Sequence, residues 1–195
     1  MYEPKNQRRT LTKRLLKESL IKLLKEKDIQ KISITELCQD AGINRTTFYS
    51  HYSNQYDVLK DMENTMIQDV QAIIDRYQPN DERHLLEVME AVCDYLKDNL
   101  EVSKAVLGNN GIESEFASAL FQIPAACHFA SVHLPEHYDE VDRELLLICF
   151  SKGGYSLIRQ WLVYDLPKSP KEIARLIYEI ATKGWMFSSS RDSHR

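Results

Sequence analysis

Long hydrophobic runs are missing from the 195-residue sequence, and glycine and proline are scarce, with six of each. A helix that crosses a bilayer needs about 20 consecutive apolar residues, so the sequence predicts no membrane span and no membrane partner. The opening MYEPKNQRRT has charges with no apolar segment after them, which is not typical of a secretory signal. From these two features we expect a cytoplasmic protein. Because few residues here break helices, we also expect it to be mainly helical.

Cysteine is also scarce. The four cysteines stand far apart among apolar neighbours, at Cys38, Cys93, Cys127 and Cys149. They form neither a CxxC pair nor the dense spacing of a disulfide framework. This pattern favours buried, reduced thiols over a redox or metal role.

Catalytic signatures are absent as well. The sequence contains no GxGxxG, GxSxG, HExxH or P-loop pattern, and no nucleophile can be paired with a base. His128, His133 and His137 straddle the loop expected at Pro135, so they do not share one helical face as a set of metal ligands would. We therefore expect no enzyme, no catalytic residue, no cofactor and no metal site.

Charge is divided unevenly along the chain, whose formal net charge is −4. Residues 1–55 carry eleven Lys and Arg against six Asp and Glu, a net charge of +5, and the remainder carries −9. This split favours a polyanionic partner at the N-terminal end alone. A chance fluctuation on solvated helices would give the same counts.

Apolar residues follow the helical period almost throughout, and no strand is predicted. Helices are expected over residues 8–26, 54–76, 83–99 and 102–108, with a further one from Leu146 that continues for more than four turns. The last helix is expected to begin at Ser169, because a proline follows at the first helical position and a glutamate at the third.

The stretch ITELCQDAGINRTTFYSHY, residues 34–52, has the pattern of two short helices joined by a tight turn. Ser33 and Glu36 form a capping-box pattern at the start of the first helix. Gly42 suits the turn, and Asn44 is a good N-cap for a second helix of about two turns. The apolar residues of the stretch can close a small core with the leucines of the first long helix, which predicts a helix-turn-helix.

The polar side chains of this stretch are thereby directed outward, where they can contact a DNA duplex. A two-turn helix fits the major groove, which is about 12 Å wide. Arg45 is the first candidate for a base contact because its planar fork matches guanine O6 and N7, although a phosphate-bound arginine fits the same pattern. The candidate DNA contacts are Ser33, Thr35, Arg45, Thr46, Thr47, Tyr49, Ser50 and His51.

Over residues 14–59 the sequence resembles the TetR (tetracycline-repressor) family of bacterial transcriptional regulators. The resemblance rests on Ala41-Gly42-Ile43, on the segment TFYSHY at residues 47–52 and on the segment SNQYDVL that follows. It implies that Tyr49 and His51 contact the DNA backbone. Gln55 departs from the family, which commonly has a phosphate-binding lysine at that position.

The resemblance implies an all-α fold with an N-terminal three-helix helix-turn-helix DNA-binding domain and a helical ligand-binding and dimerisation domain. We expect these domains in residues 1–53 and 54–187, with a disordered tail in residues 188–195. The implied function is a transcriptional regulator, expected to be a repressor, that binds double-stranded operator DNA as a homodimer. A small-molecule effector of unknown identity is expected to change its DNA affinity.

One short helix contacts too few base pairs to select a single site in a genome, whereas a two-fold pair of helices doubles the contacts. The resemblance implies that the last two helices pair across the two-fold axis. Gly153 and Gly154 allow close helix approach, although part of the same stripe must be intramolecular core. The candidate interface residues are Phe150, Gly153, Gly154, Leu157, Ile158, Trp161, Ile177 and Ile180.

The effector site is left open by the sequence. Met62 and Met66, together with several aromatic residues, suit an apolar pocket but are more typical of core, so no ligand-binding residue is predicted. The alternative function keeps the helix-turn-helix and gives the acidic body a protein partner in place of a small molecule, as in a co-activator.

Overall fold

The computed structural model describes residues 4–77, 82–108 and 139–183. In these ranges every regular element is helical, which confirms the predicted all-α class. The helices are α1 Pro4–Leu24, α2 Ile34–Asp40, α3 Arg45–Tyr49, α4 Gln55–Tyr77, α5 Glu82–Asp98, α6 Leu100–Leu107, α7 Glu140–Val163 and α8 Pro170–Lys183, with a short 3-10 helix at Ile29–Lys31. The three histidines considered above as metal ligands, Cys127 and the predicted tail lie outside the described residues.

Helices α1, α2 and α3 pack around the small core that the sequence predicts. Leu16 and Leu20 of α1, Leu37 of α2 and Phe48 of α3 are each 0% exposed. Leu11 belongs to the same apolar stripe in the sequence but is 45% exposed. The core of the helix-turn-helix therefore includes the part of α1 that contains Leu16 and Leu20.

The turn between α2 and α3 has the geometry that its glycine indicates. Gly42 has φ +65°, in the left-handed region, and the amide of Ile43 donates to the carbonyl of Cys38 over 2.9 Å. Asn44 then caps α3, since its side-chain oxygen accepts the amide of Thr47 at 2.7 Å. Both turn residues predicted from the sequence are confirmed.

The chain divides into two compact units. The described part of the first unit consists of residues 4–66 and 101–108, and that of the second consists of residues 67–77, 82–100 and 139–183. The first unit extends past the predicted domain limit at residue 53 because the first half of α4 is bound to α1: Lys13 and Lys17 both reach Asp61.

In the second unit, α8 packs against α5 and α7. Ile173, Ala174 and Ile177 form its buried face. Trp161 of α7 is 0% exposed, and its indole N–H donates to the carbonyl of Lys168 at 2.8 Å. This bond ties the end of α7 to the turn that leads into α8.

Capping residues set the starts of α7 and α8. Ser169 and Glu172 exchange hydrogen bonds at the start of α8, as predicted, and the bonds from Lys168 and Ser169 lower the pKa of Glu172 to about 2. α7 begins at Glu140, six residues before the predicted Leu146, because Asp139 and Asp142 form a second capping box.

The cysteines differ from one another. Cys38 and Cys93 are buried free thiols, and burial raises the pKa of both, to about 12 for Cys93. Cys149 is exposed on α7, so the prediction of a buried thiol is wrong at that position.

No described helix combines the length and the apolar character that a membrane span requires.

Candidate nucleic-acid interface

α3 presents a polar face opposite its single core residue. Phe48 is fully buried, whereas Arg45, Thr46 and Ser50 are exposed and Tyr49 is 50% exposed. Because Asn44 caps the helix, this five-residue element begins at a defined residue despite its length. The core contact of Phe48 thus fixes which side of α3 faces outward.

Arg45 and Tyr49 lie one turn apart on this outer face. A hydrogen bond with the Tyr49 hydroxyl raises the pKa of Arg45, so the guanidinium stays charged. The Tyr49 ring also packs edge-on against Phe48, with ring centroids 5.5 Å apart. The tyrosine is therefore anchored to the core at its ring and available at its hydroxyl, next to the arginine.

Thr47, Ser50 and His51 are the less available members of the predicted set. Thr47 and His51 are partly buried, and the Ser50 hydroxyl donates to the Thr47 carbonyl at 2.7 Å. Burial lowers the pKa of His51, helped by the positive charges of Arg9 and Lys13. The imidazole is consequently neutral at neutral pH, and its buried Nδ1 has no hydrogen-bond partner among the described residues.

Ser33 and Thr35 are exposed at the start of α2. The Ser33 hydroxyl oxygen accepts the amide of Glu36 at 3.2 Å and keeps its own proton to donate. The pKa of Glu36 is lowered by its bond to Lys27, with a smaller contribution from the Ser33 amide. All eight predicted DNA contacts are thus outside the core.

Two pairs of basic residues on α1 differ in whether they contact a carboxylate of the protein, a difference that the sequence did not reveal. Lys13 and Lys17 bind Asp61, with Nζ to carboxylate distances of 3.3 and 3.0 Å, and are occupied within the protein. Arg8 and Arg9 are exposed and have no carboxylate partner among the described residues. Arg8 and Arg9 are therefore better placed than Lys13 and Lys17 to meet an external anion.

Gln55, where the TetR pattern commonly has lysine, is directed toward its own unit. Its side-chain amide donates to the carbonyl of Ile29 at 3.5 Å. The start of α4 is capped by Asn54, whose side-chain oxygen accepts the amides of Tyr56 and Asp57 at 2.8 and 3.1 Å. Tyr56 itself is 46% exposed beside this cap, a position that the sequence analysis did not single out.

Comparisons with known proteins identify the family. The sequence profile of the TetR transcriptional regulator C-terminal region matches residues 83–183, which is more than half of the chain. The chain belongs to the TetR family of transcriptional regulators. This confirms the resemblance, which rested on residues 14–59, from the other end of the sequence, and it confirms that the protein is not an enzyme.

Individual TetR relatives are distant. An uncharacterized HTH-type transcriptional regulator of Bacillus subtilis (strain 168), YxbF, is 25% identical over 186 residues, which cover 92% of this chain but 48% of that protein. The chain therefore spans about half the length of this curated relative.

Two solved structures share the fold. A TetR transcriptional regulator from Streptococcus agalactiae 2603V is 17% identical, with a TM-score of 0.68 over 91% of this chain and 97% of its own. A TetR-family regulator from Syntrophomonas wolfei str. Goettingen is 14% identical, with a TM-score of 0.66 over 90% and 94%. At these identities the likeness concerns the fold alone.

The residues predicted for a dimer interface are divided by the structure. Trp161, Ile158 and Ile177 are buried within the chain, at 0, 4 and 7% exposure, and Gly154 is buried too. Residues enclosed in their own unit offer little contact area to a second copy, so for these four residues the burial does not favour the predicted interface role. Phe150 and Leu157 are partly exposed, and Gly153 and Ile180 are exposed.

A different apolar face of α7 is open. Val141, Leu145 and Ile148 are 62, 59 and 51% exposed and follow one another at helical spacing. Gly153 lies five residues beyond Ile148, and an added Cβ there would meet nothing within 4 Å. On α8, Leu176 and Ile180 are 45 and 46% exposed and four residues apart.

Proposed function

We propose that this TetR-family regulator is a repressor that binds operator DNA in the cytoplasm as a homodimer and changes its affinity when a small molecule binds the C-terminal domain. The observation that supports it most strongly is the outer face of α3. Arg45, Thr46 and Tyr49 are exposed on a helix that is capped at one end and fixed to the core by Phe48. The polar groups of this face point away from the core and suit the major groove.

The proposed contacts fall into two kinds. Arg45 and the neighbouring Thr46 would contact base edges, because they lie at the start of α3 with no enclosure by the core. Ser33, Thr35, Thr47, Tyr49, Ser50 and His51 would hold the helix in register through phosphate or sugar contacts, with Ser50 close enough for a base edge as well. Arg8 and Arg9 would replace the charge that Gln55 lacks.

The homodimer is proposed through the open faces of α7 and α8. Val141, Leu145 and Ile148 on α7, with Leu176 and Ile180 on α8, expose more apolar side chain than a monomer of this size needs to. Gly153 would let two copies of α7 approach closely. A homodimer would offer two α3 helices to one duplex, whose successive half-sites lie about 34 Å apart, and would double the number of bases contacted.

Substitution of Arg45 tests the base contact. Operator sites are first selected from random duplexes with the wild-type protein, and binding of wild type and Arg45→Ala is then measured on selected and scrambled duplexes. Loss of a bidentate base contact is expected to weaken specific binding by roughly 1–3 kcal/mol, about 5- to 150-fold, and to leave binding of the scrambled duplex nearly unchanged. Arg175→Ala, the same change on exposed α8, should alter neither.

An equal loss on both duplexes would show that Arg45 binds phosphate, and no selected sequence at all would refute operator recognition. The wild-type selection also provides the duplex whose binding, without any added small molecule, serves below as a separate measurement.

A further inference from the structure

Glu63 of α4 is a carboxylate enclosed in the first unit. Its side chain is 0% exposed, and Oε2 accepts a hydrogen bond from Lys60 Nζ at 2.8 Å. The second oxygen, Oε1, is equally buried and has no donor in the part of the chain that the structure describes. A buried carboxylate oxygen that has lost water without gaining a donor is unfavourable.

The three other polar residues that are almost fully buried in the same unit each have a partner. The Thr12 hydroxyl donates to the Arg8 carbonyl at 2.9 Å, and the Ser19 hydroxyl donates to the Leu37 carbonyl at 3.3 Å. Ser103 reaches the Met66 sulfur at 4.0 Å. Glu63 differs from these three in the described residues, because half of its hydrogen-bonding capacity remains unused in the place where that costs most.

The surroundings of Glu63 are apolar and adaptable. Leu59 and Met66, one turn before and one turn after it on α4, are 2 and 1% exposed. Unbranched methionine side chains adjust to irregular shapes, and Ser103 of α6 packs against the sulfur of Met66. Lys60 is 41% exposed, so the ion pair connects the enclosed carboxylate to the protein surface.

We propose that Oε1 of Glu63 is the acceptor for the head group of an apolar small molecule that donates a hydrogen bond, namely an alcohol or an amine. The inference rests on the proposed function, in which this molecule is the effector. Lys60 already balances the charge of Glu63, so a neutral hydroxyl fits without adding charge, whereas an ammonium head would compete with Lys60. A carboxylate head would be repelled by Oε1, and the buried Leu59 and Met66 suit an apolar tail.

The test uses four probes built on an eight-carbon chain with the full-length protein: 1-octanol, octylamine, octanoate and methyl octyl ether. Thermal unfolding is followed by circular dichroism while each probe is titrated. A donor head is expected to raise Tm by roughly 5–10 °C when the free probe is about a hundred times its Kd. Octanoate and the ether should bind at least about tenfold more weakly, since neither donates to Oε1. A rise with octanol alone identifies a hydroxyl head, and a rise with octylamine alone identifies an ammonium head.

Variants at Glu63 decide whether the carboxylate is the acceptor. Glu63→Leu should lose the response to the donor probe, while Glu63→Gln keeps an oxygen that accepts and should retain most of it. Glu87→Leu, the same change at an exposed position of α5, should respond as wild type. If Glu63→Leu does not fold, the probe series on wild type and Glu63→Gln still decides.

Three results would overturn the inference: no shift with any probe, an equal shift with octanol and octanoate, or an undiminished shift in folded Glu63→Leu. Binding of the selected duplex, measured without probe, separates this failure from failure of the proposed function. A protein that binds the duplex but ignores every probe refutes the effector chemistry alone. A protein that binds no duplex refutes the proposed operator binding.

Discussion

Among single residues, Asp61 of α4 contacts side chains from two other segments of the first unit. Its carboxylate accepts the Tyr52 hydroxyl at 2.8 Å and lies 3.3 and 3.0 Å from the ammonium groups of Lys13 and Lys17. Lys13 also lies 5.4 Å from the centre of the Tyr52 ring. The residue thereby joins α1, α4 and the segment after α3, and it sets the position of the helix-turn-helix on α4.

Asp61→Asn is expected to lower the free energy of unfolding by about 1–2 kcal/mol at pH 7, because the amide keeps the shape but loses the charge that both lysines contact. Although burial opposes ionisation, the bonds from Tyr52 and Lys17 lower the pKa of Asp61. A lowered folded-state pKa means that the stabilisation is full above the unfolded value of about 3.9 and is lost as pH falls through the folded value. The difference between wild type and variant should therefore be constant above about pH 5 and shrink below about pH 4.

Urea unfolding of both proteins from pH 2.5 to 7 measures this difference. Asp28→Asn is the control, since Asp28 pairs with Lys31 at 3.8 Å on an exposed surface and should contribute less than about 0.5 kcal/mol. A difference for Asp61→Asn that persists unchanged to pH 3 would contradict the assigned ionisation.

Some residue roles were predictable and others were not, for a physical reason. Ser33, Gly42 and Asn44 act on backbone within three residues of themselves, so their letters alone indicate a cap or a turn. Asp61 acts across α1 and α4, at sequence separations of 48 and 44 residues from Lys13 and Lys17. A single sequence contains no signal for such a pairing, and for that reason both lysines were counted in the basic charge of residues 1–55 without any distinction from Arg8 and Arg9.

At the scale of the secondary-structure element, the α2–α3 turn depends on one backbone conformation. Gly42 has φ +65°, and an added Cβ would meet nothing within 4 Å. Any cost of substitution is therefore conformational and not steric. Gly42→Ala is expected to reduce stability by about 1–2 kcal/mol, whereas Gly42→Asn should cost less, because asparagine tolerates the left-handed region better.

Thermal or chemical unfolding of the two Gly42 variants measures the effect, with Gly153→Ala as control. Gly153 lies inside α7 with open space around its Cα, so alanine there should stabilise a single chain by up to about 1 kcal/mol. Equal losses in Gly42→Ala and Gly42→Asn would mean that side-chain size, and not the left-handed backbone, limits the turn.

Helix starts illustrate what a sequence can and cannot define at this scale. The start of α8 was predictable because Ser169, Pro170 and Glu172 have complementary local roles. The start of α7 was placed too late, since Asp139 and Asp142 cap as effectively as serine and glutamate but resemble any acidic loop. Apolar periodicity likewise located the stripe on α7 without showing which side of it faces α8.

At the scale of the whole molecule, apolar residues in one stripe divide between packing inside the chain and packing between chains. Trp161 and Ile158 of α7 and Ile177 of α8 were predicted for the second role, and the structure buries all three within the chain. Both roles need the same residue types, so no reading of the sequence alone separates them. The residues left open are Val141, Leu145, Ile148, Leu176 and Ile180.

The double variant Leu145→Glu, Ile148→Glu tests whether this open face joins two copies. Two-fold symmetry would place four carboxylates in one interface, and each buried unpaired charge costs several kcal/mol, so dimer Kd should rise by a hundredfold or more. Both side chains are more than half exposed in the single chain, at 59 and 51%, so helix content and Tm of the monomer should change little. Light scattering during size exclusion measures the mass, and titration of the selected duplex measures the expected loss of affinity.

Leu11→Glu is the matched control for mass, because Leu11 is 45% exposed on α1 and belongs to the other unit. It should leave the dimer intact. If the double variant keeps the dimer mass, two copies meet elsewhere and the apolar face of α7 must serve another contact. If wild type is itself a monomer that still selects an operator, then α3 together with Arg8 and Arg9 of a single chain would be enough for selection. The expectation of a dimer from the number of bases contacted would then be wrong.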